Sequence, residues 1–326
     1  MNHQFCTLFD RNYLYKGLTL YNSLLEHCPE FTLWILCMDE PTYETLARLN
    51  LAKAKLIRRT EFEDDELLKV KPTRTVAEYC WTCTPSLPLY VLKRNPSLET
   101  IAYLDADLFF FSNPAPIYEE FADNAIMIIE HRFPEHLKHL EENGIYNVQM
   151  LIFRNDASGL ECLEWWRERC LEWCYYRLED GKLGDQKYLD DWPVRFKGVH
   201  VLQHKGAGVA LWNVMRYAVS KTKGKTFIDE AELVFYHFHG FSMLDNGEYR
   251  IGGNSNYPLT TRKIRLIYEP YVKAMRRAVR QVRKVDRQFN HGLYPADEIT
   301  FRSRLLGALR RIPIELRDLT ARLGER

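Results

Sequence analysis

Short apolar runs alternate with helix-patterned segments along this chain, and the alternation limits the folds that it can adopt. The continuous apolar run at residues 31–38 is typical of a strand that is buried on both faces of a sheet. Residues 14–27 carry apolar side chains at helical spacing. Strands that alternate with helices indicate a largely parallel sheet covered by helices. We therefore expect an α/β fold with a mixed, mostly parallel central sheet flanked by helices.

The pattern assigns bounds to these elements. The predicted strands are residues 4–9, 31–38, 54–58, 100–104, 125–130, 147–153, 199–202 and 233–237. The predicted helices are residues 14–27, 41–49, 61–70, 75–93 with a break at Pro85, and 160–176.

Two carboxylates, Asp105 and Asp107, directly follow the predicted strand at residues 100–104. Open α/β sheets bind their ligands just beyond the carboxyl ends of the strands. Carboxylate oxygens at that edge can hold a divalent cation against a diphosphate. The alternative is that both aspartates cap the following turn.

Charge is unevenly distributed along the 326 residues. From Leu259 onward the chain has 17 Lys and Arg against 7 Asp and Glu, whereas the preceding part is acidic. We therefore divide the chain into a domain at residues 1–258 and a basic helical extension at residues 259–326. An apolar stripe in the extension predicts either a helix that closes the domain or an interfacial helix on anionic lipid. Its members are Val272, Met275, Val279, Val282 and Val285.

The eight cysteines and the hydropathy pattern bear on location. One C-x-x-C, at Cys80 and Cys83, has no second pair at the spacing of a zinc site, so we expect reduced thiols.

No signal sequence and no run of about 18 apolar residues is present. We expect a cytoplasmic protein, peripheral to the inner face of the membrane, with no nucleic-acid partner.

Five short segments occur in one order along residues 4–245. They are Asp10-Arg11-Asn12-Tyr13, Asp105-Ala106-Asp107 followed by Ser112-Asn113-Pro114, Asn147-Val148-Gln149, Gly184-Asp185-Gln186, and His237-Phe238-His239-Gly240. Together they resemble the motifs of the GT-A nucleotide-sugar glycosyltransferases, and most closely those of glycosyltransferase family 8. The resemblance implies a Rossmann-like GT-A domain.

The resemblance also implies a function. It is the metal-dependent transfer of a hexose from a UDP-sugar to a saccharide or glycolipid acceptor, with retention of configuration, in cell-surface polysaccharide synthesis. Mn²⁺, or else Mg²⁺, would be held by Asp105, Asp107 and His237. His237 and His239 are expected on opposite faces of one strand, so that only one of them faces the metal.

Further residues are assigned to the reaction and to the donor. Asp185 and Gln186 are the candidate catalytic residues near the anomeric carbon, unless they only begin a helix. Lys205 and Gly206 could approach a phosphate, unless they belong to an ordinary loop. Asp10 or Asn12 could instead cap a helix. The candidate nucleotide-binding and donor-binding residues are Asp10, Asn12, Tyr13, Arg74, Asp105, Asn147, Lys205 and Gly206.

The chain departs from the family pattern at three places. Gln149 replaces a glycine, Trp81 stands near a position where the family has an arginine, and Phe241-Ser242-Met243 replaces Lys-Pro-Trp.

An inverting reaction would need a base, for which Glu130, Asp190 and Asp191 are candidates. Two other functions stay open, a sugar-nucleotide-binding or glycan-binding protein without turnover and an Asp-x-Asp phosphoryl-transfer hydrolase.

Overall fold

The computed structural model describes residues 2–252 and 257–296. The strands are β1 (His3–Phe9), β2 (Phe31–Cys37), β3 (Ala54–Arg58), β4 (Thr100–Leu104), β5 (Leu108–Phe110), β6 (Ile126–Glu130), β7 (Tyr146–Arg154), β8 (Val199–Val201), β9 (Val209–Ala210), β10 (Val219–Thr222), β11 (Lys225–Ile228), β12 (Ala231–Glu232), β13 (Phe235–His237), β14 (Ser242–Met243) and β15 (Tyr249–Arg250). The helices are α1 (Leu14–His27), α2 (Glu40–Leu49), α3 (Arg59–Phe62), α4 (Asp65–Val70), α5 (Val76–Cys83), α6 (Ser86–Arg94), α7 (Ala115–Phe121), α8 (Ala157–Glu172), α9 (Trp192–Arg195), α10 (Thr261–Lys263) and α11 (Glu269–Arg283).

The central sheet has seven strands in the order β3-β2-β1-β4-β7-β6-β8. Strand β7 is antiparallel to both of its neighbours, and all other pairs are parallel. The expected mixed, mostly parallel sheet is therefore confirmed. Because β1 and β4 are parallel neighbours, the loops that follow them meet at one edge of the sheet.

Alternating side chains of β1 show how the sheet separates two cores. Phe5 and Phe9 join the core that contains α1, α2 and α11, whereas Cys6 and Leu8 join the core that contains α5, α6 and α8. Successive side chains of a strand point to opposite faces, so a strand covered on both sides is apolar throughout. The continuous apolar runs in the sequence reflect this double burial.

Polar caps fix several helix ends. The side chain of Asp39 accepts from the N–H of Thr42 at 2.8 Å, which places the start of α2 one residue before the proline. The segment predicted as one helix at residues 61–70 is two helices, because Asp64 accepts from the N–H of Leu67 and starts α4 anew. The break predicted at Pro85 separates α5 from α6.

A second, three-stranded sheet in the order β5-β13-β9 lies beside the end of β4. Strands β5 and β13 are antiparallel, and His237 pairs with Leu108. Since Leu108 follows Asp107 directly, this register brings a residue from late in the chain next to the acidic pair.

The described part of the basic C-terminal region is packed into the domain. The residues of α11 that form its apolar stripe are buried in the same core as α1, and Val285 just beyond the helix is half-buried. The stripe therefore does not face a lipid surface, and the helix that closes the domain is the alternative observed. Farther on, the backbone carbonyl of Gly292 accepts a hydrogen bond from the Tyr15 hydroxyl at 3.0 Å. Residues 297–326 of the predicted extension lie outside the described residues.

Within the described ranges, no helix combines the length and the apolar character needed to cross a bilayer.

Candidate active site

Asp105, Asp107 and His237 form one cluster at the carboxyl end of β4. His237 Nε2 lies 3.1 Å from Asp107 Oδ1 and 3.6 Å from Asp105 Oδ2. The Tyr103 hydroxyl donates to Asp105 Oδ1 at 3.1 Å. Among the described residues, neither aspartate side chain accepts from a backbone N–H, so the alternative of a capped turn is not observed.

The cluster fits a divalent cation. One ligand atom from each of its three residues lies within 4.8 Å of the others. Octahedral coordination with bonds of about 2.1 Å places adjacent ligand atoms about 3 Å apart, close to the spacings from His237 Nε2. Carboxylate oxygens suit Mg²⁺, Ca²⁺ and Mn²⁺, and an imidazole suits the transition metals. These three side chains can therefore bind a metal ion.

Burial and mutual charge shift the protonation of this cluster. Burial raises the pKa of Asp105 to about 6, while His237 opposes the rise and Asp107 adds to it. For Asp107, burial also favours the acid, but the charge and hydrogen bond of His237 prevail and hold the pKa well below its usual range. Burial lowers the pKa of His237, yet the two carboxylates raise it above its ordinary value. The two carboxylates thus stabilise the protonated form of His237, and the same two charges would stabilise a bound cation.

The expectation that His237 and His239 lie on opposite faces is wrong. Strand β13 ends at His237, so the alternation of a strand does not extend to His239 in the following turn. The two ring centroids are 5.7 Å apart, and both rings lie against Trp212 at 5.3 and 5.9 Å. His237 contacts the carboxylates, whereas His239 is exposed beside it.

Asp185 is buried next to this cluster, with only 6% of the residue exposed. Burial, reinforced by the charge of Asp105, raises the pKa of Asp185 to about 8. The backbone carbonyl of Asp185 accepts from the Trp166 indole at 2.8 Å, which fixes the loop. The preceding Gly184 has a φ of +54°, and a Cβ there would lie 3.4 Å from the Trp81 ring. The helix-start alternative is observed in part, because Gln186 is the N-cap of the 3₁₀ helix Lys187–Asp191 and Asp185 directly precedes it.

Asn147 connects Gln186 to a buried histidine. Its Nδ2 donates to Gln186 Oε1 at 2.8 Å and lies 3.1 Å from His131 Nε2, and its Oδ1 accepts from the N–H of Gln149 at 3.0 Å. His131 Nδ1 lies 3.2 Å from the carbonyl of Ile145, so the ring carries its proton on Nδ1 and accepts at Nε2. Burial lowers the pKa of His131 to about 4, which keeps the ring neutral. Asn147 and Gln186 are therefore brought together, but both N–H groups of the Asn147 amide are donated to protein groups.

The residues before α1 form a local turn that Asp10 stabilises. Asp10 Oδ1 accepts from the N–H groups of Asn12 at 2.9 Å and Tyr13 at 3.2 Å, and Asp10 Oδ2 accepts from the Asn12 amide at 2.9 Å. These bonds close a turn that precedes α1, and the N-cap of the helix is Tyr13 without a side-chain cap bond, so the structure does not show Asp10 or Asn12 as the helix cap. Tyr13 is 42% exposed at the edge of the sheet.

Lys16 also lies near the acidic cluster, and the sequence analysis did not predict it as a site residue. It lies in the first turn of α1, and only 5% of the residue is exposed. Its Nζ is 4.1 Å from the centroid of the Tyr13 ring. Burial lowers the pKa of Lys16, and the charge of Asp107 opposes this shift. The helical pattern of the sequence does not identify Lys16 as a site residue, because it cannot show which groups surround a buried lysine.

No protein-family model matches the sequence. The uncharacterized protein YfnD of Bacillus subtilis is 34% identical over 300 residues, which span 89% of this chain and 94% of YfnD. The chain belongs to the YfnD family. The uncharacterized protein YfnF of the same organism is 32% identical over 298 residues, which span 89% of this chain and 97% of YfnF.

A solved structure relates this YfnD-family protein to an enzyme fold. The galactosyltransferase LgtC, in complex with donor and acceptor sugar analogues, aligns with a TM-score of 0.51 and 11% identity over 84% of this chain and 95% of LgtC. The expected GT-A fold is therefore confirmed for this YfnD-family protein.

Three residues predicted to bind the donor contact other groups in this YfnD-family protein. Arg74 donates to the carbonyl of Leu171 at 3.2 Å and stacks on Tyr175, 4.0 Å from its ring centroid. Lys205 pairs with Glu230 at 2.8 Å on the surface. A Cβ at Gly206 would lie 1.9 Å from the carbonyl oxygen of Glu232, so close packing of the backbone requires this glycine. None of these contacts joins Arg74, Lys205 or Gly206 to the acidic cluster.

Proposed function

We propose that this protein is a metal-dependent glycosyltransferase that transfers a hexose from a UDP-sugar to a saccharide or glycolipid acceptor. The observation that carries this proposal is the cluster of Asp105, Asp107 and His237 at the carboxyl edge of a GT-A sheet. The hydrolase alternative is disfavoured because such enzymes usually place the aspartate pair after the first strand, and here it follows β4. Membership of glycosyltransferase family 8 is part of the proposal.

The three ligands set the choice of metal. Two carboxylate oxygens suit both Mg²⁺ and Mn²⁺, and the imidazole of His237 shifts the preference to Mn²⁺. When bound, the ion would supply Lewis-acid stabilisation of the charge that develops on the leaving diphosphate. Tyr103 keeps Asp105 oriented by donating to the oxygen that does not face His237.

The states of Asp185, Asp190 and Asp191 favour a retaining reaction, and Glu130 stays a candidate base for inversion. Because the pKa of Asp185 is raised to about 8, its carboxyl is mostly protonated at neutral pH and can donate a hydrogen bond, but it is a poor base. Asp190 pairs with Lys187 at 2.7 Å, and Asp191 pairs with Arg195. Ion pairing makes both weaker candidates for the base that inversion needs. In retention at the front face, a phosphate oxygen of the leaving group accepts the proton of the acceptor hydroxyl.

Exposed basic residues support a setting at the membrane. The outer face of α11 and the turn after it present a row of cations, and none forms an ion pair with another described residue. We place the protein in the cytoplasm, held by this row at anionic lipid near a lipid-linked acceptor in cell-surface polysaccharide synthesis. The members of the row are Lys273, Arg276, Arg277, Arg280, Arg283, Lys284 and Arg287.

Vesicle sedimentation tests this setting. Replacement of Lys273, Arg277 and Arg280 by Gln should abolish binding to phosphatidylglycerol vesicles at about 0.1 M salt. The matched control replaces three exposed lysines elsewhere, Lys138, Lys197 and Lys221, by Gln and should still bind. Equal vesicle binding by the two triple variants would show that the basic residues of α11 do not bind the membrane.

Nucleotide-sugar turnover tests the function itself. A thermal-shift screen of nucleotide sugars with and without Mn²⁺ should identify the donor, because ligands that prefer the folded state raise the melting temperature. Release of UDP from the donor should then require Mn²⁺ and disappear in Asp107→Asn, but not in Asp123→Asn at an exposed position. Binding without any UDP release, even with acceptor saccharides present, would favour the sugar-nucleotide-binding protein without turnover.

A further inference from the structure

Lys16 is a largely buried lysine that has no carboxylate partner among the described residues. Its side chain lies in the first turn of α1 with 5% of the residue exposed. Within residues 2–252 and 257–296, its ammonium forms neither a hydrogen bond nor an ion pair, and it lies 4.1 Å from the centroid of the Tyr13 ring. A largely buried ammonium without a counter-ion is costly, so an anion that binds beside Lys16 would be stabilised by it.

The charged and titratable groups around Lys16 indicate where that anion would lie. Asp107, His237 and His239 interact electrostatically with Lys16 across the space at the end of β4. Asp107 is already in contact with His237 at 3.1 Å, so it does not neutralise Lys16 alone. On the other side, Tyr13 connects Lys16 to the edge where the nucleotide is expected. Lys16 is thus close to Tyr13, which is expected on the nucleotide side, and interacts with the charges of Asp107 and His237.

We propose that Lys16 binds the diphosphate of the nucleotide-sugar donor and thereby selects nucleoside diphosphates over monophosphates. The proposal rests on the proposed glycosyltransferase function. An ammonium donates charge-assisted hydrogen bonds to phosphate oxygens, and the amino-terminal turn of the 14-residue α1 also favours negative charge.

Titration calorimetry on the full chain tests this assignment. The probes are Mn²⁺ alone and then, with Mn²⁺ present, uridine, UMP and UDP, with GDP, CDP, ADP and dTDP screened as alternatives. In Lys16→Met, we expect UDP to bind at least about ten-fold more weakly, and uridine to bind within two-fold of wild type. Mn²⁺ alone should bind as tightly as to wild type or more tightly, because a repelling cation near Asp107 is removed.

Two further variants complete the design. Lys16→Arg keeps the positive charge and should keep most of the UDP affinity, and Lys16→Gln provides a second neutral variant if the methionine disturbs folding. The matched control is Lys93→Met, which removes an exposed lysine paired with Glu164 and should bind every probe as wild type does.

The outcomes separate this proposal from the proposed function. Unchanged UDP affinity in the neutral variants would overturn the role of Lys16 and leave the glycosyltransferase proposal standing. An equal loss of uridine or Mn²⁺ binding would indicate a structural role and would also overturn it. If the wild-type protein binds none of the nucleoside diphosphates in the presence of Mn²⁺, both proposals fail.

Discussion

The backbone N–H of Phe238 donates a hydrogen bond to the backbone carbonyl of Asp107 over 3.0 Å. This bond extends the pairing of β13 with β5 by one residue beyond His237. The imidazole is therefore positioned beside the acidic pair by backbone pairing as well as by its own side-chain contacts. Removal of one ligand side chain should leave the other two in place, which makes each ligand testable by substitution.

Replacement of His237 by Ala should weaken metal binding while the fold is kept. Substitution of groups that only orient metal ligands costs about 10- to 100-fold in affinity, so loss of a ligand should cost at least about 100-fold. Calorimetric titration with Mn²⁺ measures the change. His239→Ala is the matched control and should lose much less, because His239 does not contact the carboxylates. Equal losses in the two variants would contradict the assignment of His237.

Metal affinity should rise with pH. A metal binds the deprotonated forms of its ligands, so protons on Asp105 and His237 compete with it. The pKa of Asp105 is raised to about 6 and that of His237 is raised above its ordinary value, so both groups hold protons at mildly acidic pH. We expect at least a ten-fold gain in Mn²⁺ affinity between about pH 5.5 and 7.5, with proton release.

Calorimetry in two buffers with different ionisation enthalpies measures that proton release. Asp105→Asn should bind more weakly and show a flatter pH dependence. A wild-type affinity that does not change over this range would show that neither group holds a competing proton.

Asp185→Asn should stabilise the metal-free protein at alkaline pH. Because the folded-state pKa of Asp185 is raised to about 8 from an ordinary value of 3.8, its contribution to stability is fully present below about pH 4. It is lost as the pH rises toward 8. Asparagine carries no proton to lose, so the difference in unfolding free energy between variant and wild type should grow by about 1 kcal/mol per pH unit from pH 6 to 8. Urea unfolding at several pH values checks this, and a constant difference would rule out the raised pKa.

Asn147→Asp should destabilise the protein in a pH-dependent way. Aspartate cannot donate to Gln186 Oε1 or His131 Nε2, and at neutral pH it places a carboxylate against two acceptors. We expect a loss of about 2 kcal/mol or more in unfolding free energy at pH 7.5. The loss should shrink at acidic pH, because the new carboxylate raises the pKa of His131 from about 4 and the protonated ring can then donate to it. Urea unfolding at pH 5.5 and 7.5 measures both effects.

The matched control for this substitution is Asn246→Asp. The side chain of Asn246 accepts from the N–H of Glu248 at 2.9 Å, and an aspartate can accept in the same way. This variant should change stability by less than about 0.5 kcal/mol. A similar loss at both positions would show that the donor groups of Asn147 contribute nothing.

The central sheet and the acidic pair could be predicted from sequence because both are local signals. Doubly buried strands are apolar throughout, and Asp105 and Asp107 directly follow such a strand. His237 could be assigned from the family motif, but its contact with Asp107 depends on the pairing of β13 with β5, which no local pattern specifies.

Other parts of the site depend on tertiary partners that a single sequence does not reveal. Arg74 and Lys205 are cations near expected binding loops, yet Tyr175 and Glu230 are the groups that they meet. Lys16 occupies an ordinary position on α1, and only the packed structure shows that it is buried beside Asp107. The opposite-face expectation for His239 failed because β13 has three residues and ends at His237.

The contact of Gly292 with the start of α1 has a consequence for the order of folding. A Cβ at Gly292 would lie 1.8 Å from the carbonyl oxygen of Asn12, so residues near the two ends of the described chain are packed against each other without room for a side chain. During synthesis, the first βα unit emerges long before its partner at Gly292. The turn before α1 can therefore complete its packing only after the chain has been synthesised as far as Gly292.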